Sequence, residues 1–446
     1  MKTLPNAVRN SQLLLFVSVL MISLFLLPLL TPVSVWARFH VTPKISASET
    51  YNDNIYLDPS KDEDGDWITV IEPGLLFSWD TANLKVDLDY SLQFRYFGDN
   101  SYLNETSFKD VQRGTLTATL FPDKNFTVLA QGDISRVVVD ESHRTSDENE
   151  FINRATLYHL LINPSYRLRL TSTLAAILGY RFEIATYDQV EHAKEYDYEE
   201  PNDYHQHIYS LILEDKLSPR TLLTAGYFFT DYHTEENDPG EINEDFTRHD
   251  IALGIEQKVG SRLTVRARGG LVYFDFDESG REDGRTWNLG LNYEVSNSLT
   301  LEAAYTYDYI PSVSRGLSKG EDWSGFIRYS RRLSADLHVY YTKTTYAEGE
   351  IDNSADYTED KSTGASLTLS YPLSRHVSAN LNTDYTYWKF KPENEKADRY
   401  GIGPSIEYNF KKFNVSLSYF YRVNNSDINE NDYRNNIGML EVSWEM

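Results

Sequence analysis

The sequence predicts an all-β protein, a transmembrane antiparallel up-and-down β-barrel of about 18 to 20 strands. Three observations lead there. Apolar residues recur at every second position along most of the chain. The alternating runs come in pairs, joined in turn by short turns and long polar loops. Tyrosine and phenylalanine gather at the two ends of the apolar face, with aliphatic residues between them.

The composition agrees with a barrel and excludes other classes. The 446 residues include 33 Tyr, 21 Phe and 7 Trp, yet the mean hydropathy is −0.49. The absence of cysteine excludes a disulfide framework, cysteine-ligated metal, a thiol nucleophile and a lipidated N-terminal cysteine. A net charge of −25 argues against nucleic acid as a partner, since that surface must be basic. The aromatic content argues against disorder.

Residues 1–37 read as a secretory signal. Lys2 and Arg9 open it, residues 13–30 form an apolar run, and Val35-Trp36-Ala37 makes a cleavage site. The competing reading is a membrane anchor, because the run is about long enough to span. Residues 38–446 are then the barrel. Its first strand starts within a few residues of Arg38, so no plug domain is expected ahead of it.

The strands show the alternation directly. Leu84, Val86, Leu88, Tyr90, Leu92, Phe94 and Tyr96 alternate with Lys85, Asp87, Asp89, Ser91, Gln93 and Arg95. Such a strand has one face in an apolar medium and the other in water. Residues 291–309, 327–346, 369–388 and 406–423 repeat the hairpin unit with a period of roughly 40 residues. Two strands per unit, each long enough to cross a bilayer with tilt, fit a barrel better than a propeller blade.

Short turns are expected near Thr81, Pro122, Ser172, Pro219, Gly260, Asn297, Ser334, Ser374 and Lys411. Long loops are expected at 52–65, 98–106, 140–150, 188–203, 234–246, 276–285, 310–320, 347–360, 391–398 and 424–431. An even strand number puts both termini on the short-turn side. Tyr293, Tyr329, Tyr371 and Tyr408 mark a girdle near the turns, and Tyr96, Tyr180, Phe182, Tyr307, Tyr387 and Tyr421 one near the loops. A phenolic ring suits that interface because its body is apolar and its hydroxyl is wet. In the last strand Gly438, Leu440, Val442, Trp444 and Met446 share one face, as an insertion signal for the outer-membrane barrel assembly machinery would. Closure is obligatory, because lipid offers backbone groups no partner.

A barrel of this size has a backbone radius of roughly 20 Å, too wide for side chains to fill. The lumen is therefore expected to be a wet channel or to be partly blocked by infolded loops. The polar phase nominates Arg95, Arg266, Arg268, Arg328, Arg332, Asp384, Trp388 and Arg422 as lining residues, with Phe326, Tyr340 and Phe420 as further inward rings. Inward charges pair with one another in a barrel as readily as they touch cargo, and rings fill space as readily as they stack on sugars.

The acidic excess lies mostly in the loops, as at 58–66, 140–150, 191–203 and 233–245. Asp62-Glu63-Asp64-Gly65-Asp66 falls short of a calcium loop in spacing and lacks the closing Glu. A solvated anionic surface is the simpler reading, with divalent bridges from these loops to lipopolysaccharide phosphates as the alternative. His205 and His207 share a strand face, but two ligands without a third do not make a metal site. No nucleophile elbow, HExxH or phosphate-binding loop appears, so neither enzymatic activity nor a cofactor is expected.

The most distinctive text is at the start of the barrel. Residues 51–57 read YNDNIYL and residues 66–75 read DWITVIEPGL. This resembles the opening of the outer-membrane β-barrel porin family associated with exopolysaccharide biosynthesis and export (beta-barrel porin 2-like). The rest matches only in hairpin style. The resemblance implies a place in the cell outer membrane among lipid and lipopolysaccharide. It also implies polysaccharide as cargo and a periplasmic export machinery as partner, and it supplies no binding residues. A general diffusion porin and an adhesive surface protein are the alternatives, to be separated by conductance and by block with the polymer.

Overall fold

A computed structural model describes residues 38–59, 64–138, 154–188, 202–235, 245–277, 280–312, 316–346, 359–390 and 395–446. The signal expected at 1–37 lies outside the described residues. The first quarter comprises β1 (Arg38–Asn52), β2 (Asp66–Asp80), β3 (Leu84–Leu92), β4 (Phe94–Phe97), a helical turn α1 (Phe108–Val111), β5 (Gln112–Leu120) and β6 (Phe126–Val138). Then come β7 (Arg154–Arg169), β8 (Leu174–Tyr187), β9 (Asp203–Ser218), β10 (Thr221–Glu235), β11 (Phe246–Val259), β12 (Leu263–Phe276) and β13 (Gly280–Ser296). The remainder is β14 (Leu299–Ser312), β15 (Gly316–Ser330), β16 (Ser334–Tyr346), β17 (Glu359–Pro372), β18 (Val377–Phe390), β19 (Lys396–Phe410), β20 (Phe413–Ser426) and β21 (Tyr433–Glu445).

Each strand pairs antiparallel with its sequence neighbours, and β1 pairs with β21, which closes the sheet. β3 and β4 are one strand interrupted at Gln93. Both pair with β2 in a single register, from Asp80↔Lys85 to Ile68↔Phe97. The barrel therefore has 20 strands. The nine short turns fall where the sequence places them, and the left-handed backbone of Gly260 (φ +68°) turns β11 into β12. β1 begins and β21 ends on the short-turn side, where Lys44 pairs with Glu445.

Directly paired residues share a face, so one phase can be followed around the barrel. The outward set carries the aliphatic belt, with Leu253 68% exposed and Leu271 61% exposed. A continuous exposed surface of this kind is stable only against lipid. Both expected girdles lie on this outward phase, for example Tyr293 opposite Leu301 and Tyr96 opposite Thr69. In the last strand Trp444 faces Ile45 on the same side.

Two expected loops turn out otherwise. Residues 280–286 extend β13 along β12, and residues 308–312 and 316–320 continue β14 and β15. The expected 98–106 loop runs on to α1, which ends where β5 begins.

Candidate functional site

The site is the lumen and its loop-side mouth. Three segments shape that mouth, two folding inward and one completing its wall. The first is residues 53–58, immediately after β1. Asn436 donates from its backbone nitrogen and from Nδ2 to the two Asp53 carboxylate oxygens, both at 2.7 Å. Fully buried Asn54 donates from Nδ2 to the backbone oxygens of Asp58 (2.7 Å) and Arg434 (3.1 Å). Ile55 packs with Ile68, Phe97 and Leu103. The YNDNIYL text is thus a clasp across the seam between first and last strands.

Asp66, from the stretch that looked faintly like a calcium loop, instead accepts hydrogen bonds from the backbone of Asp99 and Asn100 and from Asn100 Nδ2. Asp62 and Glu63 lie outside the described residues, as do the acidic stretches at 140–150, 191–201 and 236–244.

The second segment, residues 98–111, fills the gap left where β5 stops short of its neighbours. Glu105 exchanges backbone hydrogen bonds with Arg95. Its buried carboxylate is ringed by Arg136 (3.3 Å), Arg95 and Arg154 (3.4 Å each) and Arg113 (3.5 Å). Burial pushes this carboxyl's pKa up. The charges of Arg95, Arg154, Arg136 and Arg113 more than offset that and hold it below the ordinary range.

The third is the loop-side end of the β14–β15 hairpin. The β13–β14 ladder stops at Trp287↔Tyr307, and beyond it β14 pairs only with β15. The freed hairpin leans inward. Tyr309 packs with Tyr232, Phe246, Val272, Phe274 and Leu317 in one buried cluster, and Gly284 leaves the space that the Tyr309 ring occupies. Arg248 on β11 donates to Asp308 Oδ1 and to the Tyr309 carbonyl, both at 2.9 Å, while Asp250 grips it from below. Lys319 pairs with Glu282 at 2.5 Å. The lumen is therefore partly blocked at its mouth by infolded chain, one of the two expected outcomes.

Below the mouth, the register places Arg266, Arg268, Arg328, Asp384, Trp388 and Arg422 on the inward face. Four guanidinium–ring pairs line this wall. Arg399 lies 4.0 Å from the Trp388 centroid, Arg422 4.7 Å from Phe420, Arg268 5.0 Å from Phe228 and Arg328 5.1 Å from Phe326. His338 stacks on Phe326 at 4.1 Å and 3°, and the next inward ring is Tyr340. A Cβ on Gly364 would come within 2.5 Å of the Tyr340 ring, so glycine there lets the ring lie flat on the wall.

Two expected lining residues are placed differently. Arg95 is buried around Glu105 at the mouth. Arg332 sits in the turn between β15 and β16, its guanidinium 5.0 Å from the ring of Tyr371, which faces outward. A turn residue has no strand phase, so the alternation that assigned it to the lumen did not apply. His205 and His207 also face outward. His205 stacks on His233 at 5.0 Å, and Tyr180 Oη and His207 Nδ1 share a 2.8 Å hydrogen bond. Among the described residues no three His, Asp or Glu side chains group to hold a metal. Phe228, His338 and Arg399 were missed, although the period-two phase of their strands was the signal that could have found them.

No family model matches the chain, and no curated protein matches it in sequence. Solved structures do. The siderophore receptor PirA from Acinetobacter baumannii aligns over 93% of this chain and 81% of its own, with a TM-score of 0.51 at 9% identity. The FrpB iron transporter from Neisseria meningitidis aligns over 91% of this chain and 82% of its own, with a TM-score of 0.48 at 10% identity. At such identity the likeness is one of fold alone, a large closed antiparallel barrel.

Proposed function

We propose that the chain is an outer-membrane channel that takes part in exporting an exopolysaccharide or capsular polysaccharide. The observation that carries this reading is the lumen wall, with its four guanidinium–ring pairs on the inward face. Rings held against the wall offer faces to sugar C–H groups. Guanidinium edges and inward amides offer donors to hydroxyls and so replace part of the polymer's hydration. The closed sheet keeps a hydrophilic chain out of lipid. The infolded mouth suits an extended polymer leaving end-on, and a periplasmic export machinery supplies direction.

Deletion of the gene, with extracellular and periplasmic polysaccharide measured, tests the reading. Polymer retained in the periplasm supports it, and unchanged export with unchanged periplasmic polymer refutes it. Reconstitution in a planar bilayer separates the alternatives. A general diffusion porin conducts and ignores the native polymer, an exporter conducts and is blocked by it, and an adhesive surface protein carries no current.

A further inference from the structure

Three inward residues that alternation nominates separately, Arg266, Arg268 and Arg328, border one trough on the lumen wall. Its floor is the row of register partners Gly290–Ala304–Ser324, which starts opposite Arg266. Nothing but the Arg266 Cβ, at 3.8 Å, comes near where a Gly290 side chain would project, so the floor is open. On one flank of this floor the next inward row runs Arg268–Asn288–Thr306–Asp322, and on the other Asn292 and Glu302 lead to Phe326. From β12 to β15 the trough spans three strand spacings, about 14 Å, the length of a di- to trisaccharide.

Its lining sets three arginines against four carboxylates, Glu256, Glu302, Asp322 and Asp336. Arg266 Nε donates to Glu256 at 2.9 Å, and Arg328 Nη1 donates to Glu302 at 2.9 Å, which also accepts from Asn292 Nδ2 at 3.0 Å. Asp336 lies a further 3.9 Å from Arg328, and Arg268 and Asp322 close opposite ends of one row. Arg266 and Arg328 are still 61% and 49% exposed at their side chains, so their remaining N–H groups point to the lumen. Arg268 carries its guanidinium over the Phe228 ring, 5.0 Å from the centroid. Donors and acceptors thus alternate around an uncharged floor, with the Phe228 and Phe326 rings at either side. Hydroxyl pairs on a sugar match that pattern. A carboxylated sugar would meet Glu302, Asp322 and Asp336 with no net positive charge to hold it.

The geometry points to a saccharide subsite for an uncharged hexose segment, formed by β12–β15 with Phe228 of β10. This deepens the polysaccharide reading and rests on it. The test is calorimetric titration of the detergent-solubilised full chain with maltohexaose and, separately, with an oligogalacturonate of equal length. Bilayer current block is recorded in parallel. Maltohexaose is expected to bind at least tenfold more tightly than the acidic oligomer. Arg268→Ala is expected to weaken it about tenfold, the scale of a hydrogen bond to a charged group. Ala304→Trp, which fills the floor, is expected to abolish binding while the barrel keeps its heat-modifiable gel mobility.

Tighter binding of the acidic oligomer overturns the uncharged assignment. Unchanged affinity in both variants, or no binding of either oligomer, overturns the subsite. Binding without ion current leaves the subsite standing and counts against the channel.

Discussion

Replacing Arg248 by methionine should release the β14–β15 hairpin from the lumen wall without unfolding the barrel. The guanidinium makes two bonds to the hairpin, to Asp308 Oδ1 and the Tyr309 carbonyl, and two to Asp250 on its own strand. Only the first two hold the hairpin. Each is a hydrogen bond to a charged group, of about 1.5–3 kcal/mol. Asp308 is partly exposed, which puts its share near the lower end. The apolar contacts of Tyr309 and Leu317 survive the change. A loss of about 3 kcal/mol corresponds to roughly a hundredfold in the local opening constant.

Hydrogen exchange in the reconstituted barrel reads this directly. Backbone amides of residues 308–312 and 316–320 should exchange about a hundredfold faster, with those of β18–β20 unchanged. Unit conductance should rise as the mouth widens. Arg281→Met removes an outward ion pair with Asp275 and should change neither quantity. If the hairpin amides in Arg248→Met exchange at the wild-type rate, the latch is not what holds the hairpin, and the reasoning fails.

Glu105→Gln should loosen residues 98–111 by about 3 kcal/mol or more, because four arginines lose the carboxylate they share. Exchange of those amides is the readout. Because the folded carboxyl titrates below its ordinary 4.5, this stabilisation is complete above that pH and fades as the pH falls through the lower folded value. Acid should therefore release the same segment in wild type and have less effect in the variant. Leu253→Arg, on the lipid-facing belt, should cost about 2–4 kcal/mol of folding into bilayers, whereas Ser416→Arg, on the inward face, should be tolerated. Asn54→Ala should remove the Nδ2 hydrogen bonds to the Asp58 and Arg434 carbonyls, cost about 1–3 kcal/mol and lower the temperature of the heat-modifiable gel shift.

Much of the barrel was legible because strand phase is a local property. Leu84 to Tyr96 declare their outward face by alternation, and the interruption at Gln93 leaves the phase intact because β2 pairs on both sides of it in one register. The lumen positions of Arg266, Arg268, Arg328, Asp384, Trp388 and Arg422 follow from the same rule. It fails where a residue leaves the sheet. Arg332 is in a turn, and Arg95, though correctly phased, is taken up by Glu105 from a loop that no periodicity describes. Tyr309 alternates with the outward residues of β14 and still points inward, because its strand has parted from β13.

The amino-acid order by itself determined the two faces, the turn positions and the antiparallel hairpins, since all three depend on neighbours within a few residues. Only the tertiary structure decided which hairpin folds into the mouth, that YNDNIYL clasps the seam, and that three arginines from β12 and β15 border one trough. Those depend on groups brought together from distant strands by closure of the sheet. A period of two contains no term for which strand ends up across the lumen.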